Sequence, residues 1–118
     1  MAAPVTHPPA PQRFATYTAF WPHYLREHAK PATRGLHYIG STLAILLTLC
    51  GLGVNSWAFL GVPVAGYGFA WASHALVEHN RPATFTHPWW SLISDFRMFA
   101  LFVTGRLAAH LRHAGVTT

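Results

Sequence analysis

Along the chain, hydrophobic and polar positions change pattern four times. Met1 to Gln12 is rich in Pro and Ala and has no apolar period, so it reads as a disordered tail. From Arg13 to His28, Phe14, Tyr17, Phe20, Trp21 and Tyr24 recur at spacings of three, three, one and three. That spacing predicts a short aromatic helix lying in a membrane interface, broken or kinked near Pro22. Residues 29–36 read as a polar turn. His37 to Val54 then runs for eighteen residues without a formal charge, Asn55 and Ser56 turn the chain, and Trp57 to Val77 adds twenty-one more uncharged residues. Eighteen helical residues cover about 27 Å, close to the thickness of a bilayer core. Pro63 and glycines 61, 66 and 68 weaken the second run as a water-soluble helix, yet a membrane tolerates them. A buried hairpin in a soluble bundle is the competing reading, but little chain remains to cover two such helices.

The last apolar stretch, around Met98 to Thr104, is too short to span and predicts an interfacial helix anchored by Trp89 and Trp90. The expected fold class is therefore all-α: an integral membrane helical hairpin of two transmembrane helices, at about 37–54 and 57–77, with flanking interfacial helices at about 14–28 and 91–112. Residues 13–113 form one membrane domain, and 114–118 a second tail.

Composition sharpens this picture. Charged residues make up 9% of the 118 and hydrophobic residues 52%, where a small soluble domain needs charge to cover its large relative surface. The net charge of +5 comes from only eight Lys and Arg with no dense basic run, which argues against nucleic acid. Arg13, Arg26, Lys30 and Arg34 precede the first span, and Arg81, Arg97, Arg106 and Arg112 follow the second. All eight therefore fall on one side, so both termini are expected in the cytoplasm of a multi-pass protein of a bacterial inner membrane. Membrane lipids are the expected partners, and the helix surface left bare by a two-span hairpin keeps a homodimer open. The single Cys50 offers no disulfide, and the N-terminal residues do not resemble a secretory signal.

Nine histidines are the unusual part of the composition. Antiparallel packing sets His37, at the entrance of the first span, beside His74 and Glu78 at the exit of the second. His28 lies just before the first span, and His79, His87 and Asp95 follow the second, so distant residues should converge at one membrane surface. His74 and Glu78, four apart, share a helix face. Imidazoles plus a carboxylate are a ligand set for non-haem iron or zinc, while an interfacial His–Glu hydrogen bond is the plainer alternative. Arg81, with Pro82, could hold a substrate carboxylate or a lipid phosphate. His7, His110 and His113 read as solvated, and His23 as part of the interfacial helix.

The stretches FWPHYLREHAKPATRGLHYIG, GYGFAWASHALVEHNRPATF and HPWWSLISDFRMF resemble the Mpo-type 2-hydroxy fatty acid dioxygenase-like family of small membrane proteins. The combination of Tyr24, His28, Pro31, Leu36 and His37 with His74, Glu78, Arg81, Pro82 and Ala83 carries the resemblance, which covers about residues 20–106. Thr33 stands where the family often has Asn, and the chain is similar to its short bacterial-type branch. The resemblance implies Fe(2+) held by His28, His37 and His74, with Glu78 as a fourth ligand or companion; Glu78 and Arg81 are the candidate catalytic residues. It also implies a fatty-acid-like substrate, a 2-hydroxy acid shortened oxidatively by one carbon. Two other readings remain at this point: a non-catalytic membrane lipid-binding or assembly protein, and a redox protein with haem between His37 and His74.

Overall fold

Thr16 begins the first helix: its Oγ1 accepts the Ala19 N–H at 3.2 Å, closing the start of α1 (Tyr17–Arg26). The helix continues through Pro22 instead of breaking there. A proline at this position frees one carbonyl, that of Thr18, and the flanking aromatic residues supply enough burial to hold the turn. The chain is described here by a computed structural model covering residues 13–117, so the expected tail at 1–12 lies outside the described residues.

The second helix, α2 (Pro31–Gly53), starts six residues earlier than the hydrophobic pattern suggests. Two causes are visible. Pro31 supplies a preset φ in the first turn, and the Glu78 carboxylate accepts the Lys30 N–H at 2.5 Å, placing an anion at the helix N-terminus. The expected polar turn thereby becomes two helical turns that carry Thr33, Arg34 and His37 inward.

Val54 and Asn55 then reverse the chain, with Asn55 Oδ1 accepting the Trp57 N–H at 3.0 Å. The returning arm, expected as a second span at 57–77, is helical over 56–78 but changes helix type along its length. It comprises a 3₁₀ segment (Ser56–Leu60), α3 (Gly61–Ser73) and a π-helical turn (His74–Glu78) that ends at left-handed His79, φ 59°. Among the described residues, one helix, Pro31–Gly53, is long and apolar enough to cross a membrane. The two arms nevertheless form the expected antiparallel hairpin. They approach closely at Gly40, where an added Cβ would lie 2.8 Å from the Ala65 carbonyl oxygen and 3.0 Å from Phe69 Cβ.

The expected interfacial helix at 91–112 is two helices, α4 (Pro88–Val103) and α5 (Leu107–His113). Gly105, with φ +74°, ends α4 in a left-handed cap, and the Arg106 N–H returns to the Leu101 carbonyl at 2.8 Å. The aromatic core lies here, away from the hairpin turn: Phe20, Tyr24 and Leu25 of α1 pack with Met98 of α4 and Leu111 of α5. Ala114 and Val116, expected in a tail, are buried in the same cluster. His110 is not solvated either, because its Nδ1 accepts the Trp21 indole N–H at 3.2 Å. Toward the hairpin turn, in contrast, Leu52, Val54 and Trp57 are 73%, 85% and 75% exposed.

Candidate metal centre

Three elements each deliver one imidazole to a common point. His28 follows α1, His37 lies two turns into α2, and His74 opens the π turn after α3. All three are buried. His28 Nε2 stands 3.0 Å from His37 Nε2 and 3.1 Å from His74 Nε2. The ring planes cross at 80°, 82° and 87°, so the three rings face one another as three mutually perpendicular plates.

Each ring is fixed through its other nitrogen. His28 Nδ1–H donates to the Tyr24 carbonyl at 2.6 Å. His37 Nδ1–H donates to the Thr33 carbonyl at 2.9 Å, with Ser73 Oγ 3.2 Å away. His74 Nδ1–H donates to Asn80 Oδ1 at 2.5 Å. The orientation of the Asn80 amide follows from its other end, where Nδ2 donates to the Glu27 carbonyl and to Glu27 Oε2. The protons therefore belong on the three Nδ1 atoms, and all three Nε2 atoms present lone pairs to one another.

Without a positive charge, that arrangement is repulsive. Neutral imidazoles in this tautomer have no hydrogen to share across contacts of 3.0 Å, and reversing any ring would set a lone pair against a carbonyl oxygen. Bonds of about 2.0–2.1 Å to one cation at right angles separate neighbouring nitrogens by about 3.0 Å. The three ligand atoms lie within 4.8 Å of one another and can hold a metal ion. Anchoring each ligand through its second nitrogen is how proteins orient metal-binding histidines. Burial, reinforced by the neighbouring His37 and His74, holds the His28 pKa well below its ordinary value, which keeps the ring neutral and able to ligate. A haem between His37 and His74 does not fit, because His28 Nε2 stands where the macrocycle would have to pass.

The remaining predicted residues sit elsewhere. Glu78 does not join the cluster: its carboxylate caps α2 at Lys30 N–H, and the Lys30 ammonium in turn donates to the Val77 carbonyl at 2.7 Å. The four-residue rule that put Glu78 on the His74 face presumes an α-helix, whereas this turn is π-helical. Arg81 is exposed and stacks over the Phe85 ring at 5.0 Å. His87 accepts the Phe14 N–H at 3.1 Å, and His23 pairs with Glu27 at 3.3 Å, so neither reaches the cluster.

The carboxylate nearest the cluster is Asp95 of α4, with Oδ1 4.0 Å from His37 Nε2. Tyr24 donates its hydroxyl to the same oxygen, and the Tyr24 ring stacks on His28 with centroids 4.1 Å apart. Burial pushes the Asp95 pKa up to about 7, against the hydrogen bond from Tyr24, which lowers it. Sequence reasoning placed Asp95 at the converging surface without giving it a role, and it left Asn80 out. The available signal for Asp95 was an acid set between apolar Ile93 and Phe96 on a helix that the charge pattern placed at the same surface.

An all-helical scaffold with a buried, Nδ1-anchored tri-histidine cluster defines the class: a helical protein whose three buried histidines could hold a metal ion. The chain belongs to the family described as 2-hydroxy-palmitic acid dioxygenase Mpo1-like, which matches residues 14–107. No curated protein and no solved structure matches the chain.

Proposed function

We propose that the protein is a membrane-embedded non-haem iron(II) dioxygenase acting on 2-hydroxy fatty acids. The observation that carries the reading is the convergence of three Nε2 lone pairs whose Nδ1 protons are all committed elsewhere. His28, His37 and His74 would hold Fe(2+), an ion suited to imidazole ligation. Bound there, iron supplies oxygen activation and a Lewis-acidic hold on the carboxylate and hydroxyl of a 2-hydroxy acid. The overall reaction balances as one O₂ taking four electrons from the substrate, giving a fatty acid one carbon shorter, CO₂ and water.

This chain's own residues would bind and orient. Asp95, whose Oδ1 lies 4.0 Å from His37 Nε2, would take the proton from the substrate hydroxyl. Tyr24 holds that carboxyl in place and covers His28, limiting water on one side. The membrane setting rests on Pro31–Gly53 and on the absence of any Lys, Arg, Asp or Glu between Gly35 and Val77. With the cations gathered at the opposite end from the bare hairpin turn, both termini would face the cytoplasm and the site would lie near the surface.

The test uses full-length protein purified without oxygen. Loaded with Fe(2+) and then given oxygen, it should convert 2-hydroxypalmitate to pentadecanoate, and chelator-treated protein should not. Iron-loaded protein that leaves every 2-hydroxy acid intact would overturn the reaction. Two side chains around the cluster should separate by role. Asn80→Ala should weaken metal binding about 10- to 100-fold, because His74 loses the partner that sets its tautomer. Glu78→Ala should leave metal binding near the wild-type value and cost about 0.5–2 kcal/mol of stability as a lost helix cap. Metal titration and thermal unfolding of both variants decide this, and a Glu78→Ala protein that loses its metal would make Glu78 a ligand after all.

A further inference from the structure

A cavity of about 340 Å³ lies between α2, α3 and α4, and His37 and Asp95 stand in its wall. From that end it follows one face of α2, where Ser41 and Ala44 come four and seven residues after His37. Ala44 is about 10 Å from His37 along the helix at about 1.5 Å per residue. Val62, Pro63, Gly66 and Tyr67 form the α3 side. Past Ala44 and Val62 a second hollow of about 260 Å³ continues toward Thr48 and Leu49, sharing Ala44, Val62 and Phe96 with the first. The ionisable pair His37 and Asp95 stands at the end near the histidine cluster, and the path away from it is apolar apart from the hydroxyls of Ser41, Tyr67 and Thr48.

Resting on the dioxygenase reading of the same site, we propose that this cleft receives the substrate's acyl chain and that Gly66 and Val62 set the chain length it accepts. The occupant follows from continuity. A ligand whose head reaches His37 and Asp95 in this cleft finds the apolar path beside it for its remainder. Gly66 marks a near gate. Its carbonyl lies 3.7 Å from where a Gly40 Cβ would stand, so it is level with Gly40, three residues beyond His37. Gly66 lines the cleft, and a Cβ added there meets nothing within 4 Å, so a larger side chain has room to enter. Val62, one turn nearer the hairpin turn, faces the passage into the second hollow and marks a far gate.

Blocking the two gates should give different length dependences. Gly66→Leu puts a branched side chain close to the head, so it should weaken both octanoate and palmitate about 10-fold or more, the factor that about two displaced methylenes cost. Val62→Phe should weaken palmitate by a similar factor and leave octanoate within about 2-fold of the wild type. Binding is measured on the full-length protein in lipid nanodiscs by competition against a photoactivatable palmitate, with the labelled residues mapped. In the wild type the label should fall on Ala44, Val62 and Thr48, and not only on lipid-facing Leu46 and Leu52, which are 56% and 73% exposed. Should Gly66→Leu fail to fold, Gly66→Ala serves instead, since alanine favours the helix and narrows the cleft in the same direction.

Equal affinities in wild type and both variants, or labelling confined to the outer residues, overturn the cleft. Length-graded binding by a protein that holds no iron leaves the cleft standing and removes the dioxygenase reading. Iron bound with no fatty-acid binding does the reverse.

Discussion

Replacing His37 by alanine should abolish metal retention and oxygen-dependent shortening of 2-hydroxy acids, by far more than the 10- to 100-fold typical of outer partners. The stability readout should be unusual. Without metal, wild-type His37 contributes a lone pair to a cluster that repels itself, so the metal-free variant should unfold no more easily than the metal-free wild type beyond the cost of a small cavity. With metal, the two should part. The wild type gains about 2.7 kcal/mol when Fe(2+) is present at 100 times its dissociation constant, and His37→Ala gains nothing. His28→Ala and His74→Ala should behave alike, since each ring turns its Nε2 into the same cluster and is held through its Nδ1. Thermal unfolding with and without Fe(2+) reads this directly. A variant whose midpoint still rises with metal would place the ion elsewhere.

The second large effect is expected at Gly40. An added Cβ would stand 2.8 Å from the backbone oxygen of Ala65, which cannot rotate out of the way. Gly40→Val must therefore push α3 from α2 and should cost about 1–3 kcal/mol or more. Since His37 and His74 ride on those two arms, the same shift should spread the histidines and weaken metal binding. Gly68→Ala is the control: a Cβ there meets nothing, and alanine should stabilise the helix by up to about 1 kcal/mol. Unfolding midpoints and metal titration of the two variants provide the check. Equal behaviour at both positions would mean that the arms are not packed at Gly40.

Hydrophobic patterning made the hairpin legible because a reversal at Asn55 forces His37 and His74 to the same end, whatever the details of either arm. His28 followed from its place just before α2. What patterning missed came from local geometry that breaks the α-helical period. The π turn at His74–Glu78 carries Glu78 off the histidine face, and left-handed His79 then turns Asn80 back onto His74. Hydropathy could not show that α2 begins at Pro31, because the stabilising anion comes from Glu78, forty-eight residues downstream of Lys30. The second arm reads as one span because it carries no formal charge, yet a change from 3₁₀ to α at Gly61 and from α to π at His74 makes it three segments. His110 appeared solvated for the opposite reason: its partner, Trp21, lies in a helix eighty-nine residues earlier.

The central claim is that His28, His37 and His74 together bind one metal ion, and that the ion is iron. Elemental analysis of the full-length protein, purified without oxygen in mild detergent, tests it most directly when run beside the His28→Ala/His37→Ala/His74→Ala variant. The iron dioxygenase proposal predicts near-stoichiometric iron with no haem absorption in the wild type and no iron in the variant. Metal-free wild-type protein that takes up no iron on addition of Fe(2+), or equal iron in both proteins, would contradict it.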